Sequence, residues 1–294
     1  MTKKAISILN INLSTLSLAD ILEETRKCLK EDQRLKIKDQ QREVNPFIIF
    51  TPNPEIIVYA QKDKYFMQIV NSAQINIADG SGVVWAVRKL YGRKIESISG
   101  VDLMLELAKM AAKMGFRIGL IGGRVGVAVE AFECLRQSYP NLNGWAEEGP
   151  EIQIRNSKLE IRNPKYKKEN KQWNNGTMEQ SREELTDRAI HHITKKIIEE
   201  KTDIVFVAMG FPKQEYLIER LKEAKFQRFK ESRPLVIMAV GGAFDYISGR
   251  VPRAPVWMRD KGGEWLFRLV REPWRLSRQI KGAEFFYKVL RQNP

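Results

Sequence analysis

Features of secreted and membrane-spanning proteins are absent from this sequence. Its 294 residues include two cysteines, Cys28 and Cys134, in helix-like patterns without a CxxC pair. A disulfide framework or a zinc site is therefore not expected, and we expect a reducing compartment. Ser7, Asn10 and Asn12 interrupt the start of the chain, where a secretory signal would be apolar. Since no apolar run reaches the roughly 18 residues of a membrane span, we expect a soluble or peripheral protein.

Signatures of metal and nicotinamide chemistry are missing as well. The chain contains no D-x-D and no H-E-x-x-H motif, and its two histidines, His191 and His192, lie among lysines in a helical pattern typical of a surface. The run Gly119–Arg124 is not a complete G-x-G-x-x-G, and no acid ends a strand about 20 residues later, as in NAD-binding proteins. We expect neither a bound metal nor a nicotinamide cofactor.

Positive charge is what the sequence has in excess. Its net charge of +14 favours an anionic partner such as nucleic acid, a lipid surface or a phosphate-bearing substrate. Half of that excess lies in residues 250–294, which hold eleven basic and four acidic side chains. We therefore expect a main domain over residues 1–249 and a basic appendage over residues 250–294.

Short apolar runs alternate with helical patterns through the main domain. The runs are residues 47–50, 75–78, 116–121, 204–209 and 235–240. A further strand is expected over residues 6–13, before a helix capped by Ser17. The alternation predicts an α/β protein with a parallel sheet that has helices on both faces. Residues 153–182 are rich in Lys, Asn and Gln and are predicted to be an exposed or disordered insertion.

A carboxylate ends one of these runs. Asp79 follows the run at 75–78 and precedes a helical pattern, a position where α/β proteins collect their ligands. Thr51 and Asn53 follow the run at 47–50; helix capping alone would explain them, so this segment by itself favours neither interpretation. If both strands belong to one sheet, the three side chains converge at its carboxyl edge, and that convergence favours a site.

Glycine-rich turns follow three further strands. They contain Gly122 and Gly123, then Gly210 with Gln214 and Glu215 behind it, then Gly241 and Gly242 with Asp245 behind them. Glycines at strand ends let backbone N–H groups approach a diphosphate. An ordinary tight turn would explain any one of these endings, but their repetition favours a ligand site.

The appendage has the composition of a membrane-surface segment. Pro273 is expected to separate two short helices, the second with an apolar stripe of Leu276, Ile280, Ala283, Tyr287 and Leu290. Basic amphipathic segments of this kind bind anionic bilayers. A helix pair docked on the core with a solvated basic face is the alternative. The side chains predicted to contact a membrane are Trp265, Arg268, Arg271, Trp274, Arg275, Arg278 and Lys281.

Taken in order, the motifs resemble the WecG/TagA/CpsF glycosyltransferase family from about Asn45 to Trp274. They are Thr51-Pro-Asn-Pro-Glu, Ala78-Asp-Gly-Ser-Gly, Ser99-Gly-Val-Asp-Leu, Gly210-Phe-Pro-Lys-Gln-Glu, Gly241-Gly-Ala-Phe-Asp and Arg253-Ala-Pro-Val-Trp. The chain departs from the family pattern at Ser97, near which a basic residue is usual; Arg93 or Lys94 could replace it. The insertion is also longer than the family needs.

The resemblance implies an inverting transferase with a Rossmann-like core, a parallel sheet flanked by helices. The implied reaction moves N-acetylmannosamine from a UDP donor to the C4 hydroxyl of N-acetylglucosamine on undecaprenyl diphosphate, in wall teichoic acid synthesis. The resemblance also implies Asp79 as the catalytic base, aided by Thr51, and no metal or other cofactor. The expected substrate-binding residues are Asn53, Gly80, Gly100, Asp102, Gly122, Gly123, Gly210, Gln214, Glu215, Gly241, Gly242, Asp245, Arg253 and Arg259. The expected location is the cytoplasmic face of the cell membrane, on an anionic surface, with self-association left open and no nucleic-acid partner.

Other functions compete with this one. A related transferase could use a mannosaminuronate or glucose donor for another surface polysaccharide. A nucleic-acid-binding protein would use the basic appendage, although the chain has no recognised nucleic-acid motif. A dinucleotide-dependent oxidoreductase is the third alternative. It is ranked last because the sequence lacks the strand-ending acidic residue that NAD-binding proteins have.

Overall fold

A computed structural model describes residues 5–35, 45–155, 157–161, 178–224, 233–260, 263–271 and 276–292. Its strands are β1 (Ala5–Ile8), β2 (Ile11–Ser14), β3 (Phe47–Phe50), β4 (Ile75–Asn76), β5 (Arg117–Gly122), β6 (Asn143–Glu147), β7 (Ile152–Arg155), β8 (Lys158–Ile161), β9 (Ile204–Ala208) and β10 (Val236–Ala239). Its helices are α1 (Leu18–Leu35), α2 (Pro54–Ala60), α3 (Lys64–Asn71), α4 (Ser81–Tyr91), α5 (Gly100–Met114), α6 (Val127–Ser138), α7 (Met178–Glu199), α8 (Lys213–Ala224), α9 (Ala243–Ile247), α10 (Val256–Asp260), α11 (Glu264–Arg271) and α12 (Leu276–Arg291).

Six parallel strands form the central sheet in the order β4-β3-β10-β9-β5-β6. Every residue of β9 and β10 is buried, which explains why these strands read as unbroken apolar runs: a parallel sheet is covered on both faces. Two hydrophobic core clusters cover the faces of the sheet. One contains residues of α2, α3, α4, α7, α8 and α12, and the other contains residues of α1, α5, α6 and α9. The predicted Rossmann-like α/β sheet is confirmed.

The helix boundaries follow from local caps. Ser17 accepts a hydrogen bond from the backbone N of Asp20 at 3.2 Å, as expected for the first turn of α1. Ser99 does the same for Asp102 at the start of α5, and that helix ends where Gly115 adopts a left-handed conformation with φ 72°. These caps fix where α5 begins, and its first turn lies at the candidate site described below.

The prediction of a single strand over residues 6–13 was wrong. Residues 6–13 form a hairpin rather than one strand, because β1 pairs antiparallel with β2. Leu9 and Asn10 make the turn with φ 46° and 62°, the left-handed conformation that two-residue hairpin turns require. The signal was in the sequence: buried positions alternate through Ile6 and Ile8, then shift by one residue at Ile11.

The described parts of the segment 153–182 are regular rather than disordered. β7 and β8 form an antiparallel hairpin that buries Ile152 and Leu159, and α7 begins at Met178. Residues 162–177 lie outside the described part of the chain. The hairpin was missed because its few apolar residues alternate within a strongly polar composition, and composition alone does not register a period of two.

The appendage packs against the main domain. α11 ends at Arg271 and α12 begins at Leu276, on either side of the predicted break. α12 lies against α2 and α4, with Phe285 and Val289 fully buried. The docked alternative therefore describes α12. The described members of its predicted apolar stripe, Ala283, Tyr287 and Leu290, stay exposed on the other side, while the side chains of Leu276 and Ile280 lie outside the described part of the structure. Among the described helices, none is long and apolar enough to cross a membrane.

Candidate active site

The carboxyl ends of the parallel strands bring the predicted site residues to one edge of the sheet. Thr51 follows β3, Asp79 follows β4, and Gly122, Gly210 and Gly241 end β5 or follow β9 and β10. Along β3, β10, β9 and β5 the helices that follow the strands alternate between the faces, with α2 and α8 on one and α9 and α6 on the other, while α4 after β4 lies on the same face as α2. Such alternation opens a crevice at the carboxyl edge, which is where ligands bind in open α/β sheets.

Asp79 lies beside the segment that follows β3. The two strands are neighbours, and the backbone N of Ile77 donates to Phe50 O at 2.9 Å. Two residues on, Asp79 N reaches Pro52 O at 3.4 Å. Gly80 then takes φ 90°, a conformation open to glycine, and α4 starts at Ser81. The predicted adjacency of the two strands is confirmed, and the half-buried Asp79 precedes a helix N-terminus, which favours negative charge.

Thr51 and Asn53 have different surroundings. Thr51 is buried against the first turn of α5, where a Cβ added to Gly100 would lie 3.5 Å from the Thr51 hydroxyl oxygen. Asn53 caps α2, its Oδ1 accepting from Ile56 N at 3.0 Å. Capping therefore accounts for Asn53 by itself, whereas its role as a substrate ligand stays a prediction. The first turn of α5 thus lies beside Thr51, and a Cβ at position 100 would meet Thr51 at an ordinary contact distance.

Two of the glycine turns already use backbone N–H groups that were predicted to face a ligand. Gly123 N donates to Ala208 O at 2.7 Å, and a Cβ on Gly122 would lie 2.5 Å from that same oxygen. Gly241 N donates to the side chain of Gln214 at 3.0 Å. These glycines serve the close packing of β5 on β9 and of the turn after β10. Gly210, with φ 69°, and the exposed Gly242 have open space around the α-carbon.

Gln214 and Glu215 are buried between the turn at Gly210 and the turn at Gly241. Both are at most 3% exposed. The Gln214 amide donates to Glu215 Oε1 at 2.9 Å while its oxygen holds Gly241 N. Burial raises the pKa of Glu215 to about 7 against the lowering effect of the Gln214 hydrogen bond. Within the described residues its other oxygen has no hydrogen-bond partner. Contact between these two residues and a substrate stays a prediction; their observed contacts connect the turns.

The buried carboxyl of Glu215 makes stability depend on pH. Its pKa in the folded protein lies near 7, above the ordinary 4.5, so the folded state binds this proton more tightly and loses stability as pH rises through that window. Glu215→Gln removes the titration. We expect the difference in unfolding free energy, variant minus wild type, to increase by about 3 kcal/mol between pH 4.5 and 8. Denaturant unfolding at several pH values measures it; a difference independent of pH would contradict the assignment.

Two residues predicted to bind substrate bind each other. Arg253 Nη1 and Nη2 each donate to a different oxygen of Asp102 at 2.7 Å, and Nη2 also donates to Ser99 Oγ at 2.9 Å. Arg259 Nη1 lies 3.7 Å from Asp102 Oδ1. Burial by itself would raise the pKa of Asp102, but the hydrogen bonds from Arg253 and Ser99 hold it below its ordinary value. Asp102 is therefore a carboxylate that is paired with Arg253 and lies near the second cation, Arg259.

Further ion pairs border the site and escaped sequence reasoning. Arg124 Nη2 lies 3.5 Å from Asp245 Oδ1, and Arg250 makes a two-pronged pair with Glu130 at 2.6 Å. Each pair joins residues 120 or so positions apart, and no local pattern signals such a pairing. The second pair fastens the start of the appendage to α6.

The predicted membrane contacts are described only in part. Trp265 is exposed on α11, and the Arg271 guanidinium lies 5.5 Å from the centre of the Phe267 ring. Trp274 and Arg275 lie outside the described residues, as do the side chains of Arg268, Arg278 and Lys281. Across the part of the chain that the structure describes, no cluster of three or more His, Cys, Asp or Glu side chains is arranged to hold a metal ion.

Six parallel strands covered by helices on both faces define an α/β protein of the Rossmann-like class. The chain belongs to the glycosyl transferase WecG/TagA/CpsF family, whose model matches residues 6–294. The match extends beyond the region where the motifs were recognised and includes the whole appendage.

Two relatives carry the same name, N-acetylglucosaminyldiphosphoundecaprenol N-acetyl-beta-D-mannosaminyltransferase. The protein from Bacillus subtilis strain 168 is 30% identical over 245 residues, which cover 83% of this chain and 79% of the relative. The protein from Staphylococcus aureus strain MW2 is 28% identical over 257 residues, covering 87% of this chain and 85% of the relative. The present chain is similar to both over most of their length.

Proposed function

We propose that this glycosyltransferase moves N-acetylmannosamine from UDP-N-acetylmannosamine to the C4 hydroxyl of N-acetylglucosamine on undecaprenyl diphosphate, the linkage unit of wall teichoic acid. The observation that carries the proposal is the placement of Asp79 beside Thr51 at the carboxyl edge of the sheet, with Arg253 and Arg259 at the same edge. The names of the two relatives supply the sugar and the acceptor.

In this reaction Asp79 is the general base. The acceptor hydroxyl oxygen attacks the anomeric carbon of the donor sugar, and the Asp79 carboxylate takes the hydroxyl proton as the new C–O bond forms. The bond between the anomeric carbon and the β-phosphate oxygen breaks on the opposite side, so the configuration inverts and UDP leaves with the bonding electron pair. Thr51, in contact with the first turn of α5, orients the reacting sugar.

Arginines stabilise the leaving group in place of a metal. Negative charge develops on the diphosphate as the bond breaks, and fixed cations near it lower the barrier. Arg259 is suited to this because its side chain is partly buried, yet among the described residues its carboxylate partner, Asp102, is 3.7 Å away rather than in a short hydrogen bond. Its guanidinium therefore keeps donors for phosphate oxygens.

The enzyme is proposed to act at a membrane surface, because the lipid of the acceptor anchors the acceptor there. The appendage exposes large apolar side chains that a soluble surface has little reason to carry: Val256, Trp257, Trp265, Leu266, Val270, Tyr287 and Leu290. Exposed apolar surface of this kind, with a basic excess around it, fits the interface of an anionic bilayer.

A transfer assay tests the proposed reaction. The protein is incubated with lipid-linked N-acetylglucosamine diphosphate and, in separate reactions, UDP-N-acetylmannosamine, UDP-N-acetylglucosamine, UDP-mannosaminuronate and UDP-glucose. We expect the first donor alone to yield a disaccharide product by mass spectrometry. The matched control is a 4-deoxy acceptor, which lacks the attacking hydroxyl and should give none. Transfer from UDP-glucose or UDP-mannosaminuronate instead would move the enzyme to another surface polysaccharide.

A further inference from the structure

We propose that Asp102 is a positioning residue. Its pair with Arg253, here called the strut, holds the segment before α10 on the first turn of α5, and Arg259 is left as the cation that binds the diphosphate. The inference rests on the proposed function, since it assigns roles within that site. It differs from the expectation that Asp102 and Arg253 both contact substrate. The geometry that separates the two arginines is the number and length of their contacts.

Both terminal nitrogens of Arg253 are hydrogen-bonded within the protein. They donate to both oxygens of Asp102, and one of them also reaches Ser99. Its Nε lies 3.9 Å from Glu264, too far for a hydrogen bond. A two-pronged pair of this kind fixes the guanidinium plane as well as its position. Partial burial strengthens the pair relative to a solvent-exposed one. Arg253 thus has few donors left for a ligand.

Arg259 differs from Arg253 at its terminal nitrogens. Among the described residues, its carboxylate contact is the 3.7 Å approach of Nη1 to Asp102, which is too long for a hydrogen bond. Its Nε, like that of Arg253, is buried without a hydrogen-bond partner among those residues. A buried guanidinium donor of this kind is costly unless something accepts from it. A diphosphate oxygen is an acceptor of the right charge, and it would approach a cation that the protein has only partly neutralised.

Asp102 connects both arginines to the reacting edge. It lies in the first turn of α5, where a Cβ added to Gly100 would lie 3.5 Å from Thr51. Through the pair with Arg253, this turn holds the segment that leads into α10, and Arg259 lies within α10. Removing the Asp102 carboxylate therefore releases the strut and, with it, the placement of Arg259 relative to Thr51 and Asp79.

A double-mutant cycle measures this dependence. We expect Asp102→Ala and Arg253→Ala each to lower kcat/KM about tenfold, and the double variant to be no more than about threefold worse than either one, because both break one connection. Arg253→Lys should not restore activity, since lysine cannot form the two-pronged pair. Arg259→Ala should weaken UDP binding about tenfold or more.

The matched control is the pair between Arg250 and Glu130, which is also two-pronged and holds the start of the same segment. Glu130→Ala should change kcat/KM less than twofold. Two results would overturn the proposal: independent effects that multiply to about a hundredfold in the double variant, or an Asp102→Ala enzyme as active as wild type. The latter would mean that the pair with Asp102 is not needed to place Arg253 or Arg259.

Hydrogen exchange separates this inference from the proposed function. Asp102→Ala should speed amide exchange in residues 254–259, whereas Glu130→Ala should leave exchange in that stretch unchanged. This readout needs no substrate, so it stands even if the wild-type protein fails to transfer any sugar in the assay above. Unchanged exchange in Asp102→Ala would remove the strut.

Discussion

Replacing Asp79 with asparagine is expected to lower kcat by about 100- to 10,000-fold, the range that loss of a general base produces. Asparagine has nearly the same shape but cannot take the acceptor proton. The turn between β4 and α4 is held by backbone contacts, including Asp79 N to Pro52 O, and by the conformation of Gly80. The fold and UDP affinity should therefore be preserved. Single-turnover transfer to the lipid-linked acceptor measures the rate, and calorimetric titration with UDP measures the affinity.

The control for this variant is Glu96→Gln. Glu96 is an exposed acid in the connection between α4 and α5, where it accepts from Leu18 N at 3.3 Å. Removing its charge should leave kcat within about twofold, because surface substitutions away from a site have small effects. A wild-type rate in Asp79→Asn would remove Asp79 as the base. A tenfold or greater loss of UDP affinity would instead make it a donor ligand.

The sequence was sufficient to predict the position of Asp79 at the carboxyl end of a strand, because the pattern that indicates this position is local. An apolar run, a carboxylate, a glycine and a helical pattern follow one another within a dozen residues, and parallel strands place such ends together wherever the strands fall in the sheet. The same locality explains why the caps at Ser17 and Asn53 were predicted correctly: each acts on a backbone N–H three residues along.

The sequence was insufficient wherever a contact joins distant positions. Asp102 and Arg253 are 151 residues apart, and each alone has the character of a substrate ligand. Their pairing depends on the fold, which places the first turn of α5 next to the segment before α10. Similarly, the role of Gly123 N–H depends on the carbonyl of Ala208, which comes from a neighbouring strand.

The appendage shows how two periodic signals can share one helix. In α12 the predicted stripe through Tyr287 and Leu290 is apolar, but so is the opposite side, where Phe285 and Val289 dock on α2 and α4. The sequence does not say which side the core covers. Docking leaves the first stripe available to an interface, so the docked helix and a membrane-facing helix are compatible descriptions of the same element.

Membrane association is expected to depend on the exposed aromatic and aliphatic side chains of α10 and α11. Trp257, Trp265 and Leu266 are 60%, 48% and 47% exposed. Changing all three to serine should weaken binding to vesicles containing anionic lipid about 100-fold, since each loses about 1 kcal/mol of apolar burial at the interface. Because these side chains contribute little to the core, the melting temperature should remain nearly unchanged. Co-sedimentation over a series of lipid concentrations gives the affinity.

The control is Tyr65→Ser, which removes an exposed aromatic from α3. It should leave vesicle binding as in wild type, because α3 lies in the main domain and carries no part of the basic appendage. Raising the salt concentration should weaken wild-type binding, since the basic residues act through screened attraction. The triple variant should keep that salt dependence with a lower affinity throughout. Equal affinity of the triple variant and wild type would leave the positive charge as the whole attraction and exclude insertion of these side chains into the bilayer.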